Sequence, residues 1–297
     1  MATWAEVFAG NRLLVTDGSW GTELAARGLR AGEAPERWNL DHPDVVRGIA
    51  ADYVAAGSDI VLTNTFGGNR IKWARSGLAD EVERVNRVGV ELSKAAAGEG
   101  ALVFASVGPT GEFMAPLGTA TEADIAACFA EQVRTLAAAG VDGIVIETMI
   151  DVKEAAIAVR AVKEHTGLPA AACMTFERGP AGYFTIMGVS PEQAAADLEA
   201  AGADIIGSNC GTGIDTMVEV IRVLRGATAK PLWAKPNAGL PELLHGETVF
   251  RETPEQMAAG VGDLVAAGAS HVGGCCGTTP EHLRRIAEAV HSLATGA

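Results

Sequence analysis

Short apolar runs alternate along this chain with longer stretches in which apolar residues recur every three or four positions. The first pattern suits strands buried on both faces, and the second suits helices that lay one stripe on a core. One phrase punctuates the alternation four times: AAGSDIV, AAGVDGIV, AAGADIIG and AAGASHV, around Gly57, Gly140, Gly202 and Gly268. Each closes a helical stretch and opens an apolar run, and its glycine fits a left-handed helix end. Four further runs join them: RLLVTDG near Arg12, ALVFASVGP near Ala101, LPAAACMTF near Leu168 and KPLWAKPNAG near Lys230. Eight strands are expected.

Helical stretches separate them at 43–57, 79–98, 121–139, 151–166, 190–201, 214–227, 253–267 and 279–293. Four open on a capping signal, TEAD at 121, SPEQ at 190, TPEQ at 253 and TPEH at 279, three of them with proline in the first helical position. Strict β–α alternation means a parallel sheet. Eight units without a linker predict one α/β domain over residues 1–297, a (β/α)8 TIM barrel. An open doubly wound sheet is the runner-up, but DGSWGTELAARG lacks its G-x-G-x-x-G fingerprint.

Composition narrows the function. A net charge of −14 argues against nucleic acid or an anionic membrane as partner. No apolar run is long enough to span a bilayer, and the first residues show no export signal. Five cysteines in 297 residues point to a reducing, cytoplasmic setting in which thiols serve as ligands, nucleophiles or packing.

Barrel chemistry sits at the C-terminal ends of the strands. Those ends carry Asp17, Asn64–Thr65, Glu147–Thr148, Thr175, Asn209–Cys210, Lys235 with Asn237, and Cys275–Cys276. The adjacent pair admits three readings: a strained disulfide, two core thiols, or two ligands of one metal. The reducing setting weighs against the disulfide. Strands six and eight share parity, so a closed barrel brings Cys210 to the pair. Neighbours in a regular strand point to opposite faces, so Gly273, Gly274 and Gly277 are expected to free the backbone and aim both sulfurs inward. Three thiolates suit Zn²⁺ with a fourth position open. Cys128, on an apolar helix face, and Cys173, inside a strand, are expected to be packing.

The segments VTDGSWGTEL (15–24), AAGSDIVLTNTFGGNR (55–70), VGPTGEF (107–113), DGIVIETMIDVKEA (142–155), DIIGSNC (204–210), KPNAGLP (235–241) and GGCCGTTPEHL (273–283) occur in this order. Together they resemble the homocysteine S-methyltransferase family, which includes the homocysteine-binding module of cobalamin-dependent methionine synthase and betaine–homocysteine methyltransferase. The resemblance implies a methyltransferase with Zn²⁺ held by Cys210, Cys275 and Cys276, and homocysteine entering through its sulfur. It further implies that Glu147 binds the ammonium group, that Asp17 and Gly18 hold the amino-acid end, and that Asn209 orients the site beside Cys210.

A free thiol with a pKa of about 8.5 is mostly protonated at neutral pH, and coordination removes its proton. The thiolate would then attack a methyl group to give methionine. Lys235 either pairs with a substrate carboxylate or is an ordinary barrel-end charge. Asn64 and Asn237 are expected to pin loops, and His245 to be a solvated loop residue. A betaine donor is disfavoured, because Gly67 and Met149 stand where betaine enzymes of the family carry tyrosines. Trp20, Trp38 and Trp73 are expected to pack rather than cage a cation. No D-x-H-x-x-G corrinoid motif occurs, so a corrinoid donor would arrive on a separate protein. A non-catalytic zinc- or thiol-binding barrel is the alternative from another class.

Overall fold

The computed structural model describes Phe8, residues 12–244 and residues 247–295. His245 lies outside the described residues. Eight parallel strands form one sheet: β1 (Leu14–Val15), β2 (Ile60–Leu62), β3 (Leu102–Val107), β4 (Gly143–Met149), β5 (Ala170–Met174), β6 (Ile205–Asn209), β7 (Leu232–Lys235) and β8 (Ala269–Val272). Their order is β1-β8-β7-β6-β5-β4-β3-β2, and a parallel bridge from Thr16 to Ile60 joins the two ends. The sheet is the expected (β/α)8 barrel.

The helices around it are α1 (Pro43–Ala55), α2 (Val82–Ala97), α3 (Glu122–Ala138), α4 (Val152–His165), α5 (Pro191–Ala201), α6 (Ile214–Ala227), α7 (Pro254–Ala259), α8 (Val261–Ala266) and α9 (Pro280–Thr295). Thr121 and Thr253 close full capping boxes, with Asp124 and Gln256 returning the bond, and Ser190 caps α5. The expected seventh helix is broken at Gly260, where an added Cβ would press on the Ile214 side chain. Two antiparallel hairpins were not foreseen, Glu177–Gly179 with Gly182–Phe184 and Glu242–Leu244 with Glu247–Val249. Both sit in loops that leave the C-terminal ends of strands. No helix among the described residues is long and apolar enough to cross a membrane.

The recurring AAG phrase has a structural reason. Gly57, Gly140, Gly202 and Gly268 all have positive φ, from 90° to 114°, a region open to glycine at little cost. The polar residue two positions on reaches back to the preceding strand. Asp59 accepts from Val15 N, Asp142 from Val103 N, Asp204 from Ala170 N and Ser270 from Leu232 N, at 2.8–3.2 Å. Each contact satisfies a backbone donor at the start of an odd-numbered strand or beside it. The N-terminal end of the barrel is thus one contact made four times.

Two apolar layers result. Leu14, Ile60, Leu62, Phe104, Val145, Cys173, Ile205 and Trp233 fill the barrel, while a larger, alanine-rich layer lies between sheet and helices. Cys173 is fully buried and Cys128 nearly so, both as free thiols, in keeping with packing roles. At the base, Phe8 stacks on His271 (5.0 Å between centroids) and His271 on Trp233 (5.3 Å). Burial holds His271 down to a pKa of about 3, so at neutral pH it is an uncharged part of the core.

Candidate metal and substrate site

Three sulfurs meet at the opposite end. Cys210 follows β6 directly and takes φ 63°, a left-handed conformation that is uncommon for a residue with a Cβ. Its N–H donates to Lys235 O (3.1 Å) and its carbonyl accepts from Thr212 N (2.8 Å). The Cys210 and Cys276 sulfurs stand 3.8 Å apart. Cys275 and Cys276 lie in a turn just past β8, held by Cys275 N on Pro236 O, Thr278 N on Cys275 O and Ala238 N on Cys276 O. The three Sγ atoms lie within 4.8 Å of one another, a group able to hold a metal ion.

The glycines beside the pair act differently from expectation. Only Gly277 has the positive φ (82°) that frees the backbone. At Gly273 and Gly274 the need is space: a Cβ would collide with Thr16 Oγ1 at the first and with the Thr278 side chain at the second. The pair leaves strand geometry because the chain turns and packs tightly against β1, rather than because every glycine is bent.

The thiols are not independent acids. Hydrogen bonds from Cys275 and Cys276 pull the Cys210 thiol down to about 3. The Cys210 contact in turn pushes Cys275 up to about 11, and Cys276 rises as well. Ionising one of these sulfurs opposes ionisation of its neighbours. Ionising all three in this space needs a cation among them.

The sulfurs open onto a cavity of about 290 Å³ lined also by Gly18, Trp20, Thr63, Phe66, Ser106, Glu147, Thr148 and Lys235. Glu147 lies on β4 and is buried, with the Ser106 hydroxyl donating to its Oε1 at 2.5 Å. Burial raises its pKa to about 7, against the pull of Lys235. Lys235 ends β7 and donates to Asp17 Oδ1 at 2.6 Å, with the Asp17 side chain fully buried and that of Lys235 almost so. The other Asp17 oxygen accepts from Trp20 Nε1 (2.9 Å) and Leu62 N (2.8 Å). Asp17 therefore sits beneath the cavity with both oxygens engaged, while the adjacent Gly18 lines it.

Asn209 also lies behind the wall. Its carboxamide accepts from Thr148 N (2.7 Å), donates to Thr148 Oγ1 (2.8 Å) and reaches Cys275 Sγ at 3.7 Å. Thr148 has φ 60° at a register shift in β4, so Asn209 pins an awkward strand end and ties Glu147's neighbour to the sulfur group. Asn64 donates to Pro35 O and to Asn39 Oδ1, which pins a loop as expected. Asn237 departs from expectation: its backbone N–H, rather than its side chain, holds Thr212 O, and its side chain helps lower the pKa of the Cys210 thiol.

Trp38 and Trp73 are buried in packing clusters, whereas Trp20 lines the cavity and spends its N–H on Asp17. Ser106 and Phe66 were missed by sequence reasoning. Ser106 had a readable signal, a lone hydroxyl inside the apolar run ALVFASVG.

Residues 14–290 match the family model described as Homocysteine S-methyltransferase. The chain is 32% identical over 300 residues to a methionine synthase of Mycobacterium tuberculosis, covering 95% of this chain and 25% of that protein. It is 30% identical over 299 residues to betaine–homocysteine S-methyltransferase 1 of Rattus norvegicus, covering 93% and 72%. The chain thus spans about a quarter of the methionine synthase and most of the betaine relative. Among solved structures it shares its fold with the homocysteine methyltransferase MmuM of Escherichia coli in its metallated form, at a TM-score of 0.80 and 23% identity over 95% of this chain and 98% of that one.

Proposed function

The chain belongs to the homocysteine S-methyltransferase family and is a methyltransferase; on that premise we propose that it methylates the thiol of homocysteine to methionine at a zinc centre held by Cys210, Cys275 and Cys276. The observation that carries this reading is the three-sulfur group opening onto a cavity that also presents Glu147. With Zn–S bonds of about 2.3 Å, tetrahedral ligands stand about 3.8 Å apart, which agrees with the 3.8 Å between Cys210 and Cys276. Bound zinc would supply the Lewis acidity that keeps the acceptor's sulfur deprotonated at neutral pH.

The chain's own residues do the rest. Glu147, ionised when an ammonium group arrives beside it, binds that group, and the Ser106 hydroxyl fixes its carboxylate. The Gly18 backbone borders the amino-acid end, and Asp17 acts from below by holding Lys235 and Trp20 in place. Asn209 orients the sulfur of Cys275 through an N–H···S contact, and Asn237 favours the ionised form of Cys210. The same reading takes residues 1–297 as one barrel domain, working in a cytoplasmic, reducing setting where all five cysteines stay free.

The donor reading follows from the cavity's aromatic groups. A quaternary ammonium donor needs open ring faces, yet Lys72 already sits 4.9 Å over the Phe66 ring. Met149 is fully buried in β4, and a side chain at Gly67 would meet Glu36. A donor carried on a separate protein, such as a methylated corrinoid protein, is favoured instead by exposed apolar residues on loops at this end. These are Phe113, Leu117 (64% exposed), Ile186, Leu240 and Leu243 (78% exposed). The test is a donor panel with homocysteine: methylated corrinoid protein, S-methylmethionine, S-adenosylmethionine and betaine. Methionine formation with the corrinoid protein above all others supports the reading; turnover with none of them on the zinc-loaded protein refutes it.

A further inference from the structure

Lys235 is a buried ammonium with two unspent donors. It is 2% exposed, and Asp17 is its one hydrogen-bond acceptor among the described residues. An ammonium carries three N–H groups. A charge held away from water with a single partner is costly unless further bonds complete it. Asp17 engages Lys235 through Oδ1 alone, its second oxygen being held by Trp20 Nε1 and Leu62 N. Yet Lys235 lines the cavity shared with Glu147 and the three cysteines. One wall region therefore presents a fixed cation, another an anion, and the far requirement is a thiol at the sulfurs.

We propose that Lys235 is a specificity-determining residue that receives the α-carboxylate of the acceptor. The ammonium group of the same molecule goes to Glu147, so the pair reads both poles of an α-amino acid. Asp17 is the positioning residue, keeping the Lys235 ammonium charged and aimed. This inference rests on the reading of the site as one that binds a thiol amino acid. It adds that the carboxylate is recognised by a side-chain cation rather than by backbone donors alone. No bond is made or broken by Lys235; its contribution is to affinity and to choice among thiols.

The experiment compares homocysteine with 3-aminopropane-1-thiol, the same molecule without its carboxylate, by calorimetric binding to the zinc-loaded protein. Wild type should bind homocysteine about 10- to 100-fold more tightly, the range of one charge-assisted hydrogen-bond site. In Lys235→Gln that preference should vanish, with the aminothiol's affinity unchanged. Since Lys235→Gln strands a buried carboxylate, the paired variant Asp17→Asn/Lys235→Gln keeps the position neutral and should show the same loss of preference. Equal weakening of both thiols in either variant would overturn the assignment, because Lys235 would then act on the metal or the fold. Equal binding of both thiols by wild type would also overturn it, with solvent completing the ammonium instead. Wild type that binds neither thiol sinks the methyltransfer reading and this inference with it.

Discussion

The two ends of the barrel are built by different rules. At the N-terminal end a single device recurs, in which Asp59, Asp142, Asp204 and Ser270 each satisfy a backbone N–H of the preceding strand. Its buried histidine, His271, is uncharged and stacked. At the C-terminal end no two strands finish alike. There the chain buries an ion pair and a carboxylate, strains Thr148 and Cys210 into positive φ, and crowds three thiols together. Regular contacts serve stability, and irregular ones serve a site, a division expected where strain and buried charge persist only with structural support.

That comparison can be broken at its stable end. Asp142→Ala removes the carboxylate that holds Val103 N and should cost about 1.5–3 kcal/mol in chemical denaturation, the range for a hydrogen bond to a charged group. Metal content and thiol affinity should be unchanged. A loss of bound metal in this variant would show that the two ends are coupled.

A smaller effect sharpens it. His271 has a folded pKa of about 3, below the ordinary value of about 6.5 for the unfolded chain. Its stability contribution is complete above pH 6.5 and is lost as pH falls toward 3, because the unfolded chain takes up the proton first. Between pH 7 and pH 5 this amounts to roughly 2 kcal/mol. His271→Phe should lack that component, so its stability should fall less steeply across the window than wild type. Parallel pH profiles would mean that His271 is not held neutral by burial.

The regular end was readable in the sequence because repetition is. Four AAG phrases, capping boxes at Thr121 and Thr253, and apolar runs of strand length led directly to the barrel. The hairpins were not legible, since strands of three residues are too short to show an alternation. At the site, parity alone brought Cys210 to Cys275 and Cys276. The Asp17–Lys235 pair was invisible, its partners 218 residues apart on strands that are not neighbours. The roles of Gly273 and Gly274 depend on the closeness of Thr16 and Thr278, which no local pattern records. Local chemistry and strand parity could be read; the close approach of individual side chains could not.

The most direct test counts sulfurs around zinc by X-ray absorption at the metal edge, with and without homocysteine. The account predicts three sulfur neighbours in the loaded protein, four once homocysteine is added, and loss of tightly bound zinc in Cys210→Ala. Two or fewer sulfurs in the wild-type protein, or a shell that homocysteine leaves unchanged, would contradict it.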